Sequence, residues 1–421
     1  MTINELESVI LSNIPEALPI VKADLAVMCT LSFSDQTLPI ALIHTGPSSS
    51  LKTETINYFF PDRHHQELNE FLYRSDNFTP AAFVSHAANV KASKLAEIDL
   101  LPKVKNKVLF TKELSPIFSG NREDLLKTFS VLTSVLDGQG YVSSSGIRGT
   151  RGYDEPIVFN WIGATKPFRH DVHYLLSALG PRLYFYNVSK SSKSMDELCQ
   201  YAKIENPGWI RAACRKAVQD FLVGFFNENP KVCRRSDDYT IPEVLLKELV
   251  LLTMVMARLR AQFSLKEVKE GDEQIEERFG SPDKENEHRA IQIFKMLARS
   301  SALIHGRTTV NGMDLDMIRQ IAFSSCPEPR RKVFEAVIQL GGFATTQQIA
   351  DITKMSKPTT IHFMKELHHL DLLILEDGIS GYTLTIREPF TTLIRENDSG
   401  QNGDRNLKEV GEWFEGKALS N

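Results

Sequence analysis

The stretch Ile40-Ala41-Leu42-Ile43-His44-Thr45-Gly46-Pro47-Ser48-Ser49-Ser50-Leu51-Lys52-Thr53 decides how the chain is read. An apolar run breaks at Gly46, crosses a loop of small residues and meets Lys-Thr at the start of a predicted helix. This order matches the phosphate-binding pattern G-x-x-x-x-G-K-[ST], except that Leu51 stands where the second glycine belongs. Backbone N–H groups across Gly46, Ser48, Ser49, Ser50 and Leu51 would face the phosphates, Lys52 would add a point charge, and the Thr53 hydroxyl would reach Mg²⁺. The expected ligands are therefore ATP and Mg²⁺. The competing reading is a polar strand-to-helix turn that happens to carry Lys-Thr. Glycine is expected at position 51 because the backbone there must approach the phosphates closely. A leucine in such a conformation costs on the order of 1–3 kcal/mol.

Working outward, Val108-Leu109-Phe110-Thr111-Lys112-Glu113 predicts a second apolar strand, ending in an acid. Glu113 sits one strand–helix excursion from the loop, where a carboxylate can orient Mg²⁺ or an attacking water. A solvated strand end is the alternative. Asn121 to Gly138 predicts a helix capped by Asn121, with Leu125, Phe129, Leu132 and Leu136 as its buried stripe. Then comes a strand, a glycine-rich turn carrying Arg148 and Arg151, and a second strand ending at Thr165. The two arginines on a hairpin tip suit phosphates of a nucleic-acid strand, and an ordinary solvated hairpin fits them equally. Tyr174 to Leu179 predicts a helix, and Arg182 precedes a last strand, Leu183 to Tyr186.

Composition narrows the class. With 49 Lys and Arg against 53 Asp and Glu, the net charge of −4 gives no global pull toward nucleic acid, so such binding must rest on local patches. Cys29, Cys199, Cys214, Cys233 and Cys326 are scattered without C-x-x-C pairs, which predicts reduced thiols in a cytoplasmic protein and no zinc site. The first residues are acidic where a signal peptide would be basic, and Glu243 to Leu259 is too short and too charged to span a bilayer, so no membrane association is expected.

Taken together, GPSSSLKT, VLFTKEL, the NREDLL helix with its GQGYV…RGTRGYD hairpin, IGATKP and LGPRLYFYNV resemble the core of an AAA+ ATPase. The pattern is similar to the MCM-helicase branch and related ATPases of bacterial mobile elements and phages. The resemblance implies an α/β fold, with a P-loop αβα core over 25–190 behind a helical lead at 1–24. It further implies that Thr165 senses the γ-phosphate and that Arg182 reaches a neighbouring subunit's nucleotide, hence a homo-oligomer. Residues 191–325 resemble the helical lid, in which Arg289 would take the second sensing place. Within them, 266–287 are charge-dense and predict a mobile loop. Leu51 and Lys112, the latter in the usual aspartate position, leave hydrolysis and nucleotide-regulated binding without turnover as alternative readings.

From Pro327 the pattern is helix, short helix, longer helix and a hairpin around Gly378 and Gly381, which resembles a winged helix over 327–392. Lys357, Thr359, Thr360, His362 and Lys365 are its candidate contacts to DNA. Seven basic residues against eight acids over 328–390 keep a protein partner open as the alternative. Residues 393–421 predict a polar tail with a short helix near Val410 to Phe414.

Overall fold

Ile40–Thr45 forms β1, and every residue up to His44 is buried, as an apolar run covered on both faces of a parallel sheet requires. The computed structural model describes residues 1–48, 50–85, 94–145, 149–167, 180, 182–188, 195, 199, 203, 208–263, 265–270, 274–378 and 381–394. Ser49, Arg148, the helix expected over Tyr174 to Leu179 and the tail after Ile394 lie outside them. The chain divides into two units. Among the described residues one holds Met1–Pro242 with Ile293–Ile318, and the other holds Glu243–Gln292 with 319–394.

In the first unit, α1 (Ile3–Asn13) opens on a capping box: Thr2 accepts from the Glu5 N–H and Glu5 reaches back to the Thr2 N–H. Next is α2 (Leu18–Cys29), buried along most of its length, then β1, then α3 (Lys52–Phe59). After them come β2 (Leu72–Arg74), β3 (Val108–Thr111), α4 (Arg122–Val135), β4 (Tyr141–Ser145), β5 (Gly149–Tyr153), β6 (Asn160–Thr165), β7 (Leu183–Asn187) and α5 (Gly208–Glu228). The apolar run from Leu25 is helical, and Pro80–Ala82 forms a 3₁₀ turn.

Five strands pair in the order β2-β3-β6-β1-β7, and every pairing is parallel. β6 lies between β1 and β3, with Thr45 opposite Thr165 and Thr111 opposite Gly163. All the carboxyl ends therefore share one edge of the sheet. At the opposite edge Asn160 binds four residues at once: its amide donates to the Val27 carbonyl (2.9 Å) and the Thr30 hydroxyl (2.8 Å), and its oxygen accepts from the Ile40 N–H and the Gln36 amide. α4 packs the expected stripe of Leu125, Phe129, Leu132 and Leu136 against Leu109, Trp161 and Phe185, and Asn121 caps it by accepting the Asp124 N–H. β4 and β5 form a separate antiparallel hairpin, so the chain after its turn makes two strands, β5 and β6, where one was expected.

The second unit begins with α6 (Glu243–Arg260) and an antiparallel pair, β8 (Leu265–Glu270) with β9 (Gln274–Phe279). Residues 266–287 were expected as a loop; Val268, Ile275 and Phe279 instead fall in strands of matched length. α7 (His288–Ile304) and α8 (Gly312–Ser324) follow in the chain, and their span from Ile293 to Ile318 belongs to the first unit. Then α9 (Glu328–Gln339), β10 (Phe343–Thr345), α10 (Thr346–Thr353), α11 (Lys357–His369), β11 (Leu373–Gly378) and β12 (Gly381–Ile386) complete the unit, with strand order β10-β12-β11. Ser356 caps α11 by accepting the Thr359 N–H. Arg330 joins α9 to Glu366 of α11 at 2.6 Å and to the carbonyls of Leu259 and Ala261. Among the described residues no helix is long and apolar enough to cross a membrane.

Candidate functional site

The parallel register brings Gly46, Glu113 and Thr165 to one edge, since each follows or ends a strand that runs the same way. Beyond Thr45 the chain turns immediately. A Cβ on Gly46 would lie 2.4 Å from the Val188 carbonyl oxygen, so only glycine fits beside the end of β7. Ser50 folds inward and donates to the Pro47 carbonyl at 2.8 Å. Leu51 then takes φ +62° and ψ −13°, the left-handed region, at the N-cap of α3. The one side chain that departs from the phosphate-loop pattern therefore holds a backbone geometry that favours glycine.

Lys52 is buried, and its ammonium donates to the carbonyls of Gly46 (2.6 Å) and Pro47 (2.5 Å) and to Ser50 Oγ (2.9 Å). Burial pushes its pKa down; Glu113 opposes this and Lys166 adds to it. The lysine thus feels the carboxylate beyond β3 across the site. Thr53 lies exposed on the first turn of α3. Glu113 accepts from the backbone N–H (2.9 Å) and the hydroxyl (2.5 Å) of Ser115, whose Oγ lies 3.4 Å from Thr165 Oγ1. Ser115 was not singled out by the sequence. Its only signal is the Glu-x-Ser spacing, which lets a carboxylate accept from the backbone two residues on.

Lys112, at the position where a second carboxylate was sought, turns away from the loop. Its ammonium sits 5.0 Å from the centre of the Phe60 ring. The residues fit a triphosphate: a loop with its left-handed turn, a helix N-terminus and a buried lysine whose present partners are exchangeable oxygens. For Mg²⁺ they offer the Thr53 hydroxyl and the single carboxylate of Glu113, which suits an ion held mainly by phosphate and water.

Beneath the loop, His44 Nε2 and Asp24 Oδ1 meet at 2.7 Å, both fully buried, with the Tyr186 ring edge-on to the imidazole. Burial raises the Asp24 pKa against the pull of His44. This pair ties α2 to the strand that carries the loop.

Other expected site residues lie elsewhere. Arg182 stands just before β7, at the level of Ile40, so roughly 15–20 Å of strand separates it from its own loop. Its guanidinium donates to both carboxylate oxygens of Asp137, at 3.0 and 3.2 Å. Arg289 lies in the first turn of α7, in the second unit. Arg151 is a correction to the expected tip: it falls within β5, opposite Ser143, and donates to the Ser85 carbonyl at 3.5 Å. In the second unit Lys357 and Lys365 are exposed on α11. Thr360 is not a surface contact, because it is fully buried and its hydroxyl donates to the Ser356 carbonyl at 3.0 Å.

A scan against models of protein families finds no match, and neither does a search of curated proteins. Among solved structures the chain is similar to a provisionally assigned ATPase from Cytophaga hutchinsonii, at 12% identity, covering 77% of this chain and 87% of that one with a TM-score of 0.35. It is also similar to the SCCmec type IV Cch active helicase, at 11% identity over 94% of this chain and 72% of that one, TM-score 0.36. A third is the apo C-terminal region of NrS-1, at 8% identity over 92% and 76%, TM-score 0.25.

Proposed function

We propose that this chain is an AAA+-type ATP-binding protein that hydrolyses ATP and couples its nucleotide state to DNA as an oligomer. The observation that carries this reading is the all-parallel order β2-β3-β6-β1-β7, with the 46–53 loop, Glu113 and Thr165 together at its carboxyl edge. In this reading the phosphates displace the Gly46, Pro47 and Ser50 oxygens from Lys52. Thr53 and Glu113 would hold Mg²⁺, which would supply charge neutralisation for the phosphates. Glu113 orients a water for attack on the γ-phosphorus, the bond to the β-phosphoryl oxygen breaks, and ADP and phosphate leave. Thr165, linked to Glu113 through Ser115, reports whether the γ-phosphate is present.

Arg182 acts in this reading on a neighbouring subunit, exchanging Asp137 for the γ-phosphate. The helix, strand, helix, helix, hairpin order of α9 to β12 supports a winged helix that docks DNA through Lys357 and Lys365. A second reading, a nucleotide-regulated binder without turnover, is favoured by one observation: Lys112 leaves a single carboxylate at the end of β3. ATP turnover with and without single- and double-stranded DNA separates the two. Turnover stimulated by DNA supports the ATPase; nucleotide binding without turnover supports the regulator.

A further inference from the structure

β2 is one of the two edge strands of the sheet and ends at Arg74, which pairs in register with Phe110 of β3; two residues later β3's chain carries Lys112. Both cations therefore emerge from neighbouring carboxyl ends. Between them lies Phe60, buried and held edge-on to Phe110 with ring centres 5.7 Å apart. Arg74 approaches the Phe60 ring centre to 4.9 Å and Lys112 to 5.0 Å. From α5, Arg215 donates Nε (3.1 Å) and Nη2 (2.7 Å) to the Phe60 carbonyl.

Three cations thus gather on one residue. Among the described residues the one ion pair to any of them is that of Asp76 with Arg74, at 2.5 Å. Lys112 and Arg215 make no ion pair with any described residue. The half-buried ammonium is disfavoured: burial lowers the Lys112 pKa, Arg74 and Arg215 lower it further, and only Asp76 opposes them. A fold that tolerates this repulsion without a ligand gives up stability, which is a mark of sites shaped for a charged ligand. In open parallel sheets ligands bind outside the carboxyl ends of the strands. Guanidinium forks beside a lysine point charge match phosphate oxygens.

We propose that Arg74, Lys112 and Arg215 form a second anion site, for a phosphoryl group, at the carboxyl ends of β2 and β3 and separate from the 46–53 loop. α3 sets that separation: its eight residues from Lys52 to Phe59 span about 12 Å. One phosphate cannot serve both places. The group comes either from a free phosphate compound or from a nucleic-acid backbone.

The test uses the full chain carrying Lys52→Ala, so that the loop is silenced and a failure of the nucleotide reading leaves the result intact. Pyrophosphate binding is measured by calorimetry at low ionic strength. The expected result is that binding persists and that a further Lys112→Met weakens it about tenfold, the scale of one charge-assisted contact. Without pyrophosphate, Lys112→Met should melt at a higher temperature than its parent, because repulsion is relieved. Arg74→Met, on an exposed side chain, should weaken binding in the same way and serves if Lys112→Met fails to fold. Displacement of pyrophosphate by a short single-stranded oligonucleotide assigns the site to a nucleic-acid backbone; no displacement assigns it to a free phosphate compound. The proposal is overturned if the Lys52→Ala protein binds no pyrophosphate, or if neither Lys112→Met nor Arg74→Met changes that binding.

Discussion

Replacing Leu51 isolates the conformational cost built into the loop. With φ at +62°, a leucine carries about 1–2 kcal/mol that a glycine would not. Leu51→Gly also removes a half-buried side chain, a loss of about 1 kcal/mol, and frees the unfolded chain by about 0.5–1 kcal/mol. The terms nearly cancel, so Leu51→Gly should change folding stability by no more than about 1 kcal/mol. Leu51→Ala loses the same contacts but keeps the left-handed strain. The glycine variant should therefore be the more stable of the two by about 0.5–1 kcal/mol, whereas alanine wins by a similar margin at an ordinary helical position. Urea unfolding of the three proteins measures this. Because Leu51 already holds the left-handed geometry, ATP affinity of Leu51→Gly should tighten by less than about tenfold. A Leu51→Gly protein destabilised by about 2–5 kcal/mol, or less stable than Leu51→Ala, would refute the strain account and make Leu51 an ordinary packing residue.

Mixing Arg182→Ala subunits with Glu113→Gln subunits should restore part of the turnover that each variant lacks, since some interfaces then pair an intact arginine with an intact acid. Co-assembly without recovery would confine Arg182 to its pair with Asp137. Glu7 is held by His305 at 3.2 Å and Lys22 at 2.8 Å, and against the effect of burial these contacts bring its pKa from 4.5 to about 2. A carboxylate with a lowered folded pKa stabilises the fold above pH 4.5, and that stability is lost as pH falls from 4.5 toward 2. Glu7→Gln should therefore cost about 2–3 kcal/mol at pH 7 and progressively less across that window, as chemical unfolding at several pH values would show.

Much of the sheet was legible because buried parallel strands are continuous apolar runs: β1, β3, β6 and β7 all ended where the residues turned polar. The α4 stripe was equally clear from its spacing. The order of the strands was not, since β6 enters beside β1 through a pairing more than a hundred residues apart, Ile40 with Asn160. Short apolar runs do not distinguish helix from buried strand, so the run from Leu25 in α2 fits either. Charge density hid the β8–β9 pair. At the site, Lys52 and Glu113 stood out by type, while Ser115 gained its place only from the turn beyond β3. Thr360 looked available on a helix with polar neighbours, yet the helix turns it inward.

The central claim is that the 46–53 loop binds a nucleoside triphosphate through Lys52. Equilibrium titration of ATP with Mg²⁺ into the wild-type chain and into Lys52→Ala tests it most directly. The buried ammonium would trade three loop oxygens for phosphate oxygens, and its loss should weaken binding by about 2–3 kcal/mol, roughly thirty- to a hundred-and-fifty-fold. Equal affinity in the two proteins, with both shown to be folded, would contradict the claim and leave the loop as a turn closed on its own lysine.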